Sequence, residues 1–234
     1  MAPARTTRRR RATRRRGTPT LTTVLVALLV IAALWLVARE LGVLPKVDIP
    51  EVPPLDNLDR GAGGGDNRAA VRELGGRVDY GRVDPKTGQR NGIKATINAA
   101  MIKAAEQDRL GSEPDQDIRP AGYDQLPARN RARGHLLGRQ LGGSGDVDAN
   151  LVALVQRRAN SPVMRDYETA VADAAEAGET IDYRVVPVYS SATAKGAPIA
   201  VRLTAVGNRG FRLDVQIANT PEAPVKRFGK QSVT

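Results

Sequence analysis

Residues 129–150 read RNRARGHLLGRQLGGSGDVDAN, from Arg129 to Asn150. The stretch is rich in arginine and glycine and reads as the irregular centre of the chain. It also contains His135, the single histidine of the 234-residue chain. Any step that needs an imidazole therefore falls to His135. The chain has no cysteine, which excludes a Cys/His zinc site, an iron–sulfur cluster, disulfides and thiol chemistry.

Strand signals lie on both sides of this centre. Arg77 to Val83 and Gly92 to Ile97 alternate around a turn at Asp84 to Gly88, which predicts a hairpin. Thr180 to Tyr189, Ile199 to Val206 and Phe211 to Ile217 predict a three-stranded antiparallel meander, with Gly196 and Asn208 to Gly210 in its turns. Pro187 inside the first of these strands predicts an edge position or a bulge. A helix is expected from Ser161 as N-cap and Pro162 as first residue to a stop at Gly178, with Val163, Tyr167, Ala170, Val171 and Ala174 on one stripe. Asn98 to Asp108 predicts a second, shorter helix, and the chain after Thr220 reads as a loose tail. Strands, an irregular centre, a helix and more strands make an α+β domain over residues 67–220, followed by the tail 221–234.

Several stretches together carry a resemblance. They are Arg133 to Gly145 (RGHLLGRQLGGSG), Asn150 to Val152, Ala159 to Met164, Tyr167 with Glu168, and upstream Tyr80 to Val83 and Gly92 to Ala95. The chain resembles the DNA/RNA non-specific endonucleases of the ββα-metal (His-Me finger) type over about Val78 to Asn219. The resemblance implies a ββα-metal core on an antiparallel sheet. It also implies a metal-dependent phosphodiesterase that cuts DNA and RNA through backbone contacts, with Mg²⁺ or another divalent ion such as Mn²⁺. One departure stands out: the family's usual Asp before Arg-Gly-His is Ala132 here.

Hydrolysis of a phosphodiester needs an activated water, charge relief on the phosphate and help for the leaving oxygen. The resemblance assigns His135 as general base, a role that suits an imidazole whose ordinary pKa is about 6.5. It makes Asn160 the sole direct protein ligand of Mg²⁺, an ion that keeps most of its waters. Glu168 would hold a water of that ion, and Arg133 would grip the scissile phosphate. Read as residues alone, Asn160 has the alternative of bonding local backbone beside a helix start, and Glu168 that of pairing with Arg165 three residues earlier. Asn150 is expected to close the Gly-rich loop rather than to bind metal. Arg139, Gln140, Arg157 and Arg158 are expected along the nucleic-acid backbone, the alternative for the arginines being plain solvation. Asp146, Asp148 and Asn150 begin like a calcium loop, but Leu151 and Arg157 stand where Gly and a bidentate Glu are required. With Trp35 in an apolar run, five Tyr and two Phe remain, too few for a base-stacking platform.

The N-terminal part reads differently. The formal net charge is +11, yet residues 1–16 hold eight arginines and no acid, leaving 28 basic against 25 acidic side chains elsewhere. The extreme basicity thus says little about what the domain binds. After the basic tail 1–20, Leu21 to Ala38 is almost wholly apolar. At about 1.5 Å per residue it spans roughly 27 Å, the hydrocarbon depth of a bilayer. The arginines before it predict a single-pass anchor with a cytoplasmic N-terminus and an extracellular domain. A cleaved signal peptide giving a secreted form is the alternative, disfavoured by the length of the run and the lack of an A-x-A-like site. Residues 39–66, rich in Pro and then Gly, read as a stalk. Two rival functions stay open on the sequence: a catalytically silent nucleic-acid receptor, and a toxin freed by cleavage of the stalk, with an inhibitor or immunity protein as its partner.

Overall fold

The computed structural model describes residues 66–231. The basic tail, the apolar run 21–38 and nearly all of the linker lie outside the described residues, and the membrane expectation with them. Among the described residues no helix is long and apolar enough to cross a membrane.

The expected hairpin forms from β1 (Arg77–Tyr80) and β2 (Ile93–Ile97), which pair antiparallel from Arg77 with Thr96 to Tyr80 with Ile93. Asp84 organises the turn between them by accepting the N–H groups of Lys86 and Thr87, each at 2.8 Å. The main sheet is six-stranded and antiparallel. In spatial order it runs β1, β2, β7 (Ile181–Val188), β8 (Ala200–Gly207), β9 (Arg212–Ala218) and β10 (Val225–Arg227). The last strand corrects the expected loose tail: Val225 to Arg227 pair with Val215 to Ile217. Its burial is slight, which is why its hydrophobic pattern gave no signal. Pro187 is a correction of a subtler kind. β7 is an inner strand, but its pairing with β2 stops at Val185, so Pro187 faces only Val201 of β8 and its missing N–H interrupts no ladder.

Helix α1 (Arg68–Glu73) precedes the sheet, and α2 (Ala99–Glu106) follows β2. Asn98 caps α2, its side chain accepting the Met101 N–H at 3.0 Å. The centre of the chain, expected to be irregular, instead builds a separate two-stranded unit. β3 (Arg131–His135) pairs antiparallel with β4 (Leu151–Val155), a strand buried along its whole length. Two-residue strands β5 (Arg157–Arg158) and β6 (Ser161–Pro162) then pair in parallel and turn the chain into α3 (Val163–Glu176). The helix begins later than expected because Ser161 and Pro162 are taken up in that pairing, and Ser161 does not cap it. Its buried residues are Met164, Glu168, Val171, Ala172 and Ala175, while Val163, Tyr167, Ala170 and Ala174 pack at the margin. The expected stripe is therefore the flank of a wider face with an acid near its middle.

Asn219, just past β9, fastens this unit to the sheet. Its Oδ1 accepts the Val155 N–H at 2.7 Å, and its Nδ2 donates to Ala153 O at 3.0 Å and Pro198 O at 2.8 Å. Two polar groups on the free edge of β4 are thus satisfied by a residue at the end of β9, which fixes the β3–β4 hairpin to the main sheet.

Candidate active site

β3 ends on His135, and the loop that follows returns to β4 through the Gly-rich run. Asn150 closes this loop. It is fully buried (0% exposed), accepts the Leu137 N–H at 2.8 Å, and donates to Leu137 O at 3.1 Å and Ser144 O at 2.9 Å. Its amide is consumed by backbone, which makes it a structural clamp. Gly143 is required here: a Cβ would lie 1.7 Å from Leu137 O.

The loop and α3 enclose a cleft of about 720 Å³, lined among others by His135, Arg139, Gln140, Asn160, Arg165 and Glu168. His135 is half-buried, and its Nε2 lies 3.0 Å from Ser112 O. A carbonyl only accepts, so Nε2 must carry the proton, and Nδ1 is left as the acceptor of the neutral ring. Burial, outweighing the bond to Ser112 and the field of Glu113, holds the imidazole below its ordinary pKa of 6.5. It is neutral at physiological pH.

Glu168 enters the cleft from α3 and is only 7% exposed. Its Oε1 is buried without a hydrogen-bond partner among the described residues. Burial pushes its carboxyl from 4.5 up to about 8, against the opposing pull of the Gly138 N–H, the Gln140 amide and the Arg165 charge. It is not an exposed partner of Arg165. Gly138 gives it room, since a Cβ there would sit 2.4 Å from Glu168 Oε2. Asn160, between β5 and β6, donates from Nδ2 to Gln156 Oε1 at 2.9 Å. That bond fixes which way the amide faces, and the Oδ1 side lies against Gly134 of β3, where a Cβ would be 3.1 Å away.

Among the described residues no group of three or more His, Cys, Asp or Glu could hold a metal ion. What the cleft does offer is an oriented amide oxygen and a buried, unpartnered carboxyl oxygen. That donor set suits a hard cation that keeps most of its waters, and does not suit a tetrahedral nitrogen or sulfur site.

Arg133 does not lie on the cleft. Its Nε donates to Ile118 O at 2.6 Å, its Nη1 to Gln116 Oε1 and Tyr123 Oη at 3.0 and 3.2 Å, and its Nη2 to Gln116 O at 2.5 Å. It also stacks over the Tyr123 ring, 4.6 Å from the centroid. Four of its N–H groups secure the loop over β3, and they are the donors that the expected phosphate grip would use. Arg139 is on the cleft, paired with Asp108 and, at 3.2 Å, with Glu113. Gln140 lines it too and donates to Arg165 O at 3.2 Å. Arg157 and Arg158 are exposed on β5, where they pair with Ser161 and Pro162 on the far side of Asn160. Ala132 pairs with Leu154 inside the hairpin. The sequence reading missed Arg165, Gln156 and Ser112. Ser112 acts through a carbonyl, which no residue type announces, and Gln156 and Arg165 gain their meaning only once α3 is folded against the loop.

The description of the matching family model is DNA/RNA non-specific endonuclease, and the match covers residues 82–205, just over half of the chain. No curated protein matches the chain significantly. Among solved structures, the Sda1 nuclease with bound zinc ion is similar, with 19% identity over 62% of this chain and 75% of that one and a TM-score of 0.50. NucA from Streptococcus agalactiae with no metal bound is similar at 17% identity over 65% of this chain and 78% of that one, with a TM-score of 0.48.

Proposed function

This chain belongs to the DNA/RNA non-specific endonuclease family, and from that premise we propose that His135 is the general base of a divalent-cation-dependent phosphodiester hydrolysis. The chain is a nuclease of the hydrolase class, and nucleic acid is its substrate. The observation that carries the finer reading is the ring of His135. Its Nε2 proton is committed to Ser112 O, so the opposite nitrogen is available to take a proton from water. Its lowered pKa keeps that nitrogen unprotonated at physiological pH.

Asn160 Oδ1 would hold the cation, and Glu168 would orient the cation's waters from its buried position. A divalent ion bound there supplies charge relief for the phosphate and its leaving oxygen. Mg²⁺ is our first choice because an amide, a carboxyl and waters are oxygen donors, with Mn²⁺ as an alternative. The Asp108 and Glu113 carboxylates must release Arg139 before it can turn to a phosphate, while Arg165 reaches the cleft from the first turn of α3. Arg157 and Arg158 would follow the backbone beyond the cleft. With few aromatic side chains to stack bases, contacts of this kind carry no sequence preference.

We further place the nuclease domain outside the cell, tethered by residues 21–38 with the arginine tail in the cytoplasm. The charge asymmetry about the apolar run supports this. A plasmid-nicking assay on the full-length chain tests the catalytic reading. Cleavage with Mg²⁺, none with EDTA, and none for His135→Ala with DNA binding retained is the expected result. Cleavage by His135→Ala at the wild-type rate would overturn it.

A further inference from the structure

The tautomer of His135 depends on one carbonyl, and that carbonyl is itself held by an unusual amount of structure. Residues 112–115 run beside the Gly-rich loop, with Ser112 N–H donating to Gly143 O at 3.1 Å and Asp115 N–H to Gly145 O at 3.0 Å. The side chain of Ser112 adds two more bonds. Its Oγ accepts the Gly145 N–H at 2.8 Å and donates to Asp146 Oδ2 at 2.9 Å. Asp146 also takes the Ser144 hydroxyl at 3.4 Å, and its own N–H donates to Ser144 Oγ at 3.2 Å. Gly145 lets the two segments touch, since a Cβ would lie 2.0 Å from Glu113 O.

We propose that Ser112 and Asp146 form a positioning pair that seats the Ser112 carbonyl against His135 and so selects the Nε2–H tautomer the reaction needs. With Gly145 N–H as donor and Asp146 as acceptor, the Ser112 hydroxyl has one orientation and cannot rotate without losing a bond. The strap of residues 112–115 belongs to the long connection between α2 and β3, a segment otherwise tied by few regular elements. Without the pair, Ser112 would keep its N–H bond to Gly143 O, while Glu113 and Asp115 beside it keep their ties to Arg139 and to Gly145 O. Freed from a fixed acceptor, the neutral ring would divide between its two tautomers, and the Nδ1–H form cannot act as base at Nδ1. Neither residue touches the reacting atoms on this reading; both act through the imidazole. The charged groups that face His135 are Glu113 and Asp146, which favour the imidazolium, and Arg139, which disfavours it.

The inference rests on the role proposed for His135, but its test does not. Because the chain has a single histidine, the two ring nitrogens give one unambiguous pair of ¹⁵N signals in a long-range ¹H–¹⁵N spectrum of the full-length protein. The wild type should show the Nε2–H tautomer, without substrate or cation present. Ser112→Ala and Asp146→Ala should give averaged ring signals. With plasmid substrate and Mg²⁺, assayed well below the melting temperature, they should lower kcat tenfold or more at unchanged KM. Ser112→Thr, which keeps the hydroxyl, should restore both spectrum and kcat. In Asp146→Ala the acid limb of kcat should also move to lower pH, since one of the two carboxylates favouring the imidazolium is gone. An Nε2–H spectrum and a wild-type kcat in Asp146→Ala would overturn the proposal. So would kcat losses that follow the melting temperature alone. Should Ser112→Ala fail to fold, Asp146→Ala and Ser112→Thr decide between these results. An inactive wild type would sink the nuclease role of His135, and the ring spectra would still decide the role of the pair.

Discussion

Glu168→Gln should make the cation-free protein more stable and the enzyme slower. Burial raises the Glu168 carboxyl from 4.5 to about 8. A raised acid pKa means that the folded state holds the proton more tightly than the unfolded state. The stability this confers is complete below about pH 4.5 and is lost as pH climbs toward 8. At about 1.36 kcal/mol per pKa unit, the loss reaches roughly 5 kcal/mol. Glutamine is uncharged at every pH, keeps a carbonyl oxygen for the Gly138 N–H, and matches the shape, so its stability should stay flat through this window. Urea unfolding of the full-length chain in EDTA, repeated from pH 5 to 8.5, measures the difference. The two proteins should nearly coincide at pH 5, and the variant should unfold at about 2 M more urea at pH 8, for an m-value of about 2 kcal/mol/M. His135 contributes with the opposite sign, since its lowered pKa costs stability as pH falls, but it does so in both proteins and cancels. Mg²⁺ should narrow the gap, because only the carboxylate gains from a neighbouring positive charge. Turnover should drop tenfold to a hundredfold, the usual range for a residue that orients a metal's surroundings. Parallel stability curves for the two proteins between pH 5 and 8.5 would refute the reasoning.

Asn160→Ala should raise the Mg²⁺ concentration for half-maximal cleavage at least tenfold while leaving the melting temperature close to wild type. A variant that instead melts early would mark the Asn160–Gln156 bond as structural. Asn150→Ala should behave in the opposite way. It strands the Leu137 N–H and the carbonyls of Leu137 and Ser144, and at about 1–3 kcal/mol for each buried unsatisfied group the cost should be 3 kcal/mol or more by urea unfolding. The kcat/KM profile of the wild type should keep its acid limb below pH 6.5, the ordinary histidine value, because burial holds the free-enzyme imidazole under it. A limb at or above that pH would show that His135 is not the titrating base.

The parts of this molecule legible in the sequence are those where a residue's type and its spacing say the same thing. The β1–β2 hairpin is announced by Asp84 to Gly88, and the β7–β9 meander by alternation that burial then follows. Asn150 could be read as a loop closure because an amide beside clustered glycines has backbone to bind. Arg133 could not. Its place in the motif points to a phosphate, and only the fold brings Gln116, Ile118 and Tyr123 within reach of its guanidinium. Strand β10 was hidden for a related reason: its partner supplies the order, and its own residues are mostly exposed. Glu168 is legible in part: it borders the apolar stripe of the helix, which already suggests a carboxylate partly shielded in a cleft, and the depth of its burial depends on Gly138 yielding the space that a side chain would fill.

The charge of the chain is also not where its chemistry is. The arginine excess sits in the first sixteen residues, whereas the cleft presents Glu106, Asp108 and Glu113 together with Asp173 and Glu176 of α3. Against them stand Arg139, already claimed by Asp108 and Glu113, and Arg165. A cleft with this balance draws cations and repels phosphates. On the proposed reading a divalent ion therefore has two tasks, reducing the repulsion that meets an entering backbone and relieving charge as the bond breaks. On the same reading the basic side chains that need no such help are Arg157 and Arg158, outside the cleft and three and two residues before Asn160. On that reading, binding set by exposed arginines and by a cation, with no base read, would be indifferent to sequence, and the selectivity of the enzyme would lie in the geometry around one imidazole rather than in its affinity for any nucleotide.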